Sequence, residues 1–245
     1  MTDMPVPPAT LLHGAALFLD FDGTLVELAE APDAIRVPGT LQPLLGSLAG
    51  RLAGRIAIVS GRSIADLERH LGPCAIAVSG SHGLELRLAG GGDVPLAAPA
   101  GLAEAREEIR RFAAGDPGLL VEEKPASVAL HYRLAPQREP GAAAFLGALA
   151  ERTGLSVQAG KMVIELRPPG ADKGDALRRM MAEPTFAGAR PLFVGDDLTD
   201  EDAFVAAAEL GGGGILVGPR RETAARWRLD GVAAVAAWLE GAVRA

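Results

Sequence analysis

At 245 residues the chain is long enough to bury the core of one domain or two. With 49% hydrophobic and 22% charged residues it reads as globular, which excludes a disordered chain. Its net charge of -7 argues against non-specific nucleic-acid binding and against an anionic membrane surface. No run approaches the roughly 18 apolar residues of a membrane span. Residues 1–8 lack the positive flank and apolar stretch of a signal peptide, so a cytoplasmic protein is expected. Aromatic residues make up only 4%, so Ala, Leu and Val must build most of the core. The single cysteine, Cys74, cannot form an intrachain disulfide and reads as a small core residue.

In chain order, a buried strand is expected at 15–19 and a helix at 41–52 after Pro38. A second strand follows at 55–59, a helix at 64–71 and a third strand at 75–78. Alternation of this kind predicts an α/β fold, a parallel sheet with helices on both faces. The pattern changes after the turn signal Gly90-Gly91-Gly92-Asp93-Val94-Pro95. A helix at 102–112 precedes strands at 119–122 and 127–132, and a helix at 142–152 precedes strands at 156–158 and 162–166. That order describes a small α+β module, closed by Arg167-Pro168-Pro169-Gly170. Then βα alternation resumes, with a helix at 173–181, a strand at 191–194, a helix at 202–210 and a last helix at 232–243. The module therefore reads as an insertion: residues 1–98 and 169–245 form the core, and 99–168 the inserted domain. The glycine run 211–214 reads as a flexible connection.

Two apolar runs stop at acidic residues: Leu17-Phe18-Leu19-Asp20-Phe21-Asp22-Gly23-Thr24 and Phe193-Val194-Gly195-Asp196-Asp197-Leu198-Thr199-Asp200. In an open parallel sheet the ligand crevice lies outside the carboxyl ends of the strands. Several carboxylates aimed there would repel one another without a hard divalent cation, and oxygen ligands suit Mg²⁺. Hydrolysis of a phosphate monoester needs a nucleophile, an acid for the leaving oxygen and charge compensation. Asp20 and Asp22 can supply the first two; Gly23 permits a sharp turn, and Thr24 offers a hydroxyl or amide to phosphate. Ser60, followed by Gly61, either contacts phosphate at a helix N-terminus or caps that helix. Lys173 opens a helix, where it can reach a phosphoryl group as a point charge.

These four elements in this order resemble the haloacid dehalogenase superfamily. The resemblance implies its Rossmann-like core and a phosphoaspartate mechanism. Asp20 is then the nucleophile, and Asp22 protonates the leaving alkoxide and later activates water. Mg²⁺ is held by Asp20, the Asp22 carbonyl and Asp196, with Asp197 and Asp200 as auxiliary metal residues. Thr24, Ser60, Gly61 and Lys173 hold the phosphoryl oxygens. An insertion between Ser60 and Lys173 corresponds to a C2-type cap, associated in this superfamily with small sugar phosphates.

Within the insertion, Lys161, Val163 and Glu165 alternate with Met162, Ile164 and Leu166, which sends the two sets to opposite faces of a strand. Glu122 and Lys124 repeat the two-residue spacing, and such charged groups suit a polyhydroxylated ligand. These segments resemble the trehalose-6-phosphate phosphatase family from residue 18 to about 218. That implies a phosphoric monoester hydrolase, with Glu122, Lys124, Lys161 and Glu165 contacting the sugar remote from the phosphate. Arg133 and His82 are further candidates for substrate contact, and His82 can equally be structural. A functional link to trehalose-6-phosphate synthase is expected. The nearest rivals are a sucrose-phosphate or mannosyl-3-phosphoglycerate phosphatase; a phosphomutase and a non-catalytic sensor come further behind.

Overall fold

A computed structural model of the chain describes residues 4–28, 35–73, 75–92, 94, 99–160, 162–170 and 172–244. The expectations for Cys74 and Lys161 fall outside the described residues. The chain divides into two compact units, residues 1–94 with 172–245, and residues 95–171.

In the first unit, β1 (Ala15–Leu19), β2 (Ile56–Val59) and β3 (Ala77–Gly80) run parallel, and β4 (Glu85–Arg87) turns back antiparallel to β3. Helices α1 (Leu41–Arg51) and α2 (Ile64–Leu71) are the crossovers. The second unit holds α3 (Leu102–Ala113), β5 (Leu120–Lys124), β6 (Ser127–His131), α4 (Glu139–Thr153), β7 (Ser156–Gly160) and β8 (Val163–Arg167). The chain then returns to the first sheet through α5 (Lys173–Ala182), β9 (Arg190–Gly195), α6 (Glu201–Glu209), β10 (Gly213–Val217), β11 (Trp227–Leu229) and α7 (Val232–Arg244).

The order of the larger sheet is β11-β10-β9-β1-β2-β3-β4. The chain winds outward from β1 in one direction, then restarts at β9 on the other side of β1. β1 and β9 therefore flank the point where strand order reverses, the position at which doubly wound sheets open a ligand crevice. Alternation within the strands builds both faces. Leu17 and Leu19 join the cluster with Leu45, Leu48, Leu67 and Leu239 from α1, α2 and α7. Ala16 and Phe18 join the opposite cluster with Leu177, Met180 and Phe204 from α5 and α6. A strand covered on both sides has no solvated face, which is why these strands read as continuous apolar runs.

The glycine run 211–214 is not a flexible connection. Gly213 and Gly214 are buried residues of β10, paired in register with Leu192 and Phe193 of β9. A Cβ at Gly214 would lie 2.5 Å from the Phe204 ring, and one at Gly212 only 1.7 Å from the Pro191 carbonyl oxygen. Close approach of the β9 backbone at Gly212 and of the α6 residue Phe204 at Gly214, not looseness, demands glycine here. β3 starts and ends two residues later than the 75–78 expected. It includes Ser79, whose Oγ donates to the Glu85 carbonyl at 3.0 Å and ties β3 to β4. The short edge strands β4 and β11 carry too few residues to show a period, and periodicity did not reveal them.

The smaller sheet, order β5-β6-β8-β7, is antiparallel throughout. Val128, Leu130, Ile164 and Leu166 pack with Ile109, Leu146 and Leu149 of α3 and α4. The alternate residues form the other face, so alternation along β8 is as expected. No described helix is long and apolar enough to cross a membrane.

Candidate active site

β1 and β9 pair with Leu19 opposite Val194, so the residues that follow each strand emerge side by side. The Asp20 amide donates to the Val194 carbonyl at 2.9 Å and extends the pairing one step into the loop. Beyond it, Asp20, Asp196 and Asp200 can each offer a carboxylate oxygen within 4.8 Å of the others. Gly23, at φ +78°, closes the turn after β1; a Cβ there would collide with the Asp196 carboxylate at 2.1 Å. Only glycine lets the two acidic loops approach this closely. Thr24 is fully buried, and its hydroxyl reaches the Asp196 carboxylate at 3.4 Å.

Lys173 is the first residue of α5, a helix capped by the Asp172 carboxylate, which accepts the Asp175 amide. Its ammonium donates to Asp20 Oδ1 and Asp200 Oδ1, both at 2.6 Å, and all three side chains are buried. Asp200 Oδ2 accepts the Asp197 amide at 2.9 Å. Asp197, in turn, caps the 3-10 turn Leu198–Asp200 through a hydrogen bond from the Leu198 amide at 2.6 Å. The structure thus brings Asp20, Asp196 and Asp200 together but commits the Asp197 carboxylate to the helix entry.

The electrostatics follow from burial. Desolvation raises the Asp20 carboxyl well above its usual range; Lys173 opposes that and the Asp200 charge adds to it. Burial, then the neighbouring Asp200, raises Asp196 as well. For Lys173, burial works against the charged form, but the two carboxylates outweigh it and hold its ammonium above the usual lysine range. Three carboxylates facing one ammonium leave two negative charges uncompensated. Hard oxygen donors with that surplus fit a divalent cation.

Asp22 points elsewhere. Arg62 grips it with Nε to Oδ2 at 2.6 Å and Nη2 to Oδ1 at 2.8 Å, while Arg62 Nη1 holds Asp66 at 2.7 Å. This two-pronged clamp was not among the expected residues. The available signal was position: Arg62 follows Ser60 and Gly61 in the loop after β2. Ser60 is buried, and its Oγ accepts the Arg62 amide at 3.1 Å, leaving its hydroxyl proton free to be donated. Ser60 is not the helix cap; Ser63 caps α2 by accepting the Asp66 amide. Gly61 lies exposed beneath the His82 imidazole, whose Nε2 would sit 2.7 Å from a Cβ at that position. His82 therefore belongs to the serine loop of the first unit, in a left-handed conformation, with its amide donating to the Ser60 carbonyl at 3.0 Å.

In the second unit, register places Glu122, Ala129, Glu165 and Gln158 in one row across the four strands. Lys124 Nζ lies 3.2 Å from both oxygens of Glu165, and the buried Ser127 hydroxyl also donates to Glu165. Glu122 meets His131 Nε2 at 2.8 Å. Ser127 and His131 are thus companions of the expected charges; four residues apart, they fall on one face of β6 by its period-two alternation. Arg133 is exposed in the turn after β6.

The sequence model of the family described as trehalose-phosphatase matches residues 18–233. The chain is 40% identical over 213 residues to the probable trehalose-phosphate phosphatase of Sinorhizobium fredii, covering 86% of this chain and 80% of that protein. It is 38% identical over 231 residues to the trehalose-6-phosphate phosphatase of Escherichia coli, covering 92% and 85%. Among solved structures it superposes on the Aspergillus fumigatus trehalose-6-phosphate phosphatase with a TM-score of 0.72 at 27% identity, over 99% of each chain. Both acidic loops, the serine loop, Lys173 and the whole insertion fall inside the matched span, and the chain belongs to the trehalose-phosphatase family.

Proposed function

We propose that this protein hydrolyses trehalose 6-phosphate to trehalose and inorganic phosphate, with Mg²⁺ at the Asp20–Asp196–Asp200 cluster. The observation that carries the reading is the buried Lys173, bridging Asp20 and Asp200 beside Asp196 at the point where strand order reverses.

Asp20 attacks phosphorus through a carboxylate oxygen, and the bond to the sugar O6 breaks. Asp22 gives its proton to that departing oxygen, leaving trehalose and a phosphorylated Asp20. Asp22 then takes a proton from water, which attacks the phosphoryl group and restores the Asp20 carboxylate. Bound Mg²⁺ supplies charge compensation for the phosphoryl oxygens. Lys173 adds a fixed positive charge, and Ser60 donates the hydroxyl proton that its own loop leaves unused. For Asp22 to reach the sugar oxygen, its carboxylate must leave or share the Arg62 fork, so Arg62 sets where the acid waits.

Glu122, Lys124 and Glu165 supply the donors and acceptors for the sugar remote from the phosphate, with Lys161, shortly before Glu165 in sequence, as a further member. A paired carboxylate and ammonium on an open sheet face can exchange their mutual contact for hydroxyl groups at modest cost. A cytoplasmic location and an upstream synthase that makes trehalose 6-phosphate belong to the same proposal.

The test is phosphate release with Mg²⁺ from trehalose 6-phosphate, sucrose 6-phosphate, glucose 6-phosphate and mannosyl-3-phosphoglycerate. Strong preference for the first, abolished by chelator, is expected. Preference for another member would keep the chemistry and overturn the substrate. Isomer formation without phosphate release would make the protein a mutase, and no turnover on any member would favour a sensor.

A further inference from the structure

The loop after β10 reaches back to the acidic loop through Arg221. Its Nη2 donates to the Asp197 carbonyl at 2.7 Å and reaches the Asp196 carbonyl at 3.4 Å. Its Nη1 pairs with Glu201 and reaches the Glu222 carbonyl at 3.3 Å. Glu201 opens α6, and its second carboxylate oxygen accepts the Ala224 amide at 2.8 Å. Arg221 and Glu201 therefore stitch three segments together: the acidic loop, the start of α6 and the loop that carries Arg221. Both side chains are largely shielded, at 22% and 24% exposed, so solvent competes little for the pair.

Asp196 needs such support. It is only partly buried, its contact with the Thr24 hydroxyl is long, at 3.4 Å, and it shares a side-chain hydrogen bond with Asp20, itself a member of the acidic cluster. Asp200 is held by Lys173 and by the Asp197 amide, but neither contact touches Asp196. Among the described residues, the side chain that reaches the Asp196 carbonyl from another loop is Arg221. Small divalent cations demand near-ideal geometry, and outer contacts that orient the ligands set affinity. Glu201 neutralises Arg221, so the pair acts by shape and adds no net charge beside the cluster.

We propose that Arg221 is a positioning residue: by holding the Asp196 and Asp197 carbonyls it fixes where the Asp196 carboxylate presents its oxygens to a divalent cation. This rests on the metal-assisted reading of the site. No motif marks the residue, because Gly218-Pro219-Arg220-Arg221 looks in sequence like an ordinary charged surface loop.

The experiment is calorimetric titration of metal-stripped protein with Mg²⁺ alone, for the wild type, Arg221→Ala, Arg221→Lys and Glu201→Gln, with thermal melts of each. Arg221→Ala should weaken Mg²⁺ binding by about 10–100-fold, the range for losing an outer-sphere partner. Arg221→Lys should be nearly as weak, because an ammonium cannot bridge two carbonyls and a carboxylate in one plane. Glu201→Gln should fall between these and the wild type. In turnover assays the Mg²⁺ needed for half-activation should rise while KM for the sugar phosphate stays near the wild-type value. Arg178→Ala, which removes an exposed pair with Glu209, is the control and should leave Mg²⁺ binding unchanged. Wild-type affinity in Arg221→Ala would overturn the inference, and full affinity in Arg221→Lys would move the effect from shape to charge, overturning it too. If Arg221→Ala fails to fold, the Lys and Gln variants decide. A wild type that binds no Mg²⁺ would overturn the metal reading itself, an outcome distinct from equal binding by all four proteins.

Discussion

Two lysine–carboxylate clusters of similar composition occupy different surroundings in the two units. In the first unit, Lys173 lies 2.6 Å from both Asp20 and Asp200, and none of the three side chains exceeds 5% exposure. In the second, Lys124 lies 3.2 Å from Glu165, with 32% and 21% of the side chains exposed. The buried cluster has fixed geometry and surplus negative charge, the preorganised environment that stabilises developing charge in a reaction. The more exposed cluster carries longer ion-pair contacts, and in the proposed function it trades them for hydroxyl groups. On the proposed reading, residue type alone does not separate chemistry from recognition; burial does.

The sharpest way to break this contrast is Asp20→Asn. If the buried cluster carries the chemistry, turnover should fall by about 10⁴-fold or more, as for removal of a nucleophile. Near-wild-type turnover would remove Asp20 from that role. Next in size is Lys173→Met, which leaves Asp20 and Asp200 buried without their counter-ion. Breaking a buried pair costs about 3–5 kcal/mol, which urea unfolding of the metal-stripped protein would register. A loss below about 1 kcal/mol would mean that the carboxylates are solvated or already protonated.

The contrast also explains what could be read from sequence. Asp20, Asp196 and Lys173 stood out because each directly follows a buried strand or opens a helix, boundaries written in apolar periodicity, and Asp22 stood out by its two-residue spacing from Asp20. The sheet core was legible for the same reason: Leu17 and Phe18 face opposite helical layers, so the strand is apolar throughout. Arg62 and Arg221 were not found, because their partners lie 40 and 24 residues away, across loops without periodicity. Ser60 was harder to judge than Lys173 because a hydroxyl after a strand suits a cap and a ligand contact equally; the structure gives the cap to Ser63. The glycine run was misread because sequence shows permissive backbone but not the Phe204 ring packed against it. In the second unit, alternation gave the charged face of β8, while the partners Ser127 and His131 follow from register.

A smaller effect sharpens the other side of the comparison. Glu165→Gln removes the charge that Lys124 and Ser127 share but keeps the shape. Hydrolysis of trehalose 6-phosphate should fall by roughly 10–100-fold through KM, in line with about 1.4–2.7 kcal/mol of lost contact. Hydrolysis of p-nitrophenyl phosphate, which carries no sugar, should change less than about twofold. Equal losses on both substrates would mean that Glu165 supports the fold and does not read the sugar.

The smallest expected effect links protons to the metal. Burial raises Asp20 and Asp196 above the ordinary carboxylate range. A carboxylate raised in the folded state contributes stability at pH values below its unfolded pKa, and that contribution is lost as the pH climbs through the raised value. Lys173 is also raised, so its contribution persists through neutrality and is lost only above the ordinary lysine range. Metal-stripped protein should therefore give up part of its stability as the pH rises above the ordinary carboxylate range, from the carboxylates and not from the lysine. Mg²⁺ replaces the protons at those carboxylates, so the melting-temperature gain on adding it should be larger at about pH 7.5 than at about pH 5.5. Each kcal/mol of that difference appears as roughly 2–4 °C in a chain of this size. Glu165→Gln should leave the difference intact, because its carboxylate answers to Lys124 and Ser127. An equal Mg²⁺ gain at both pH values would mean that proton and cation do not compete for the same oxygens, and the acidic cluster would then lose its standing as the metal site.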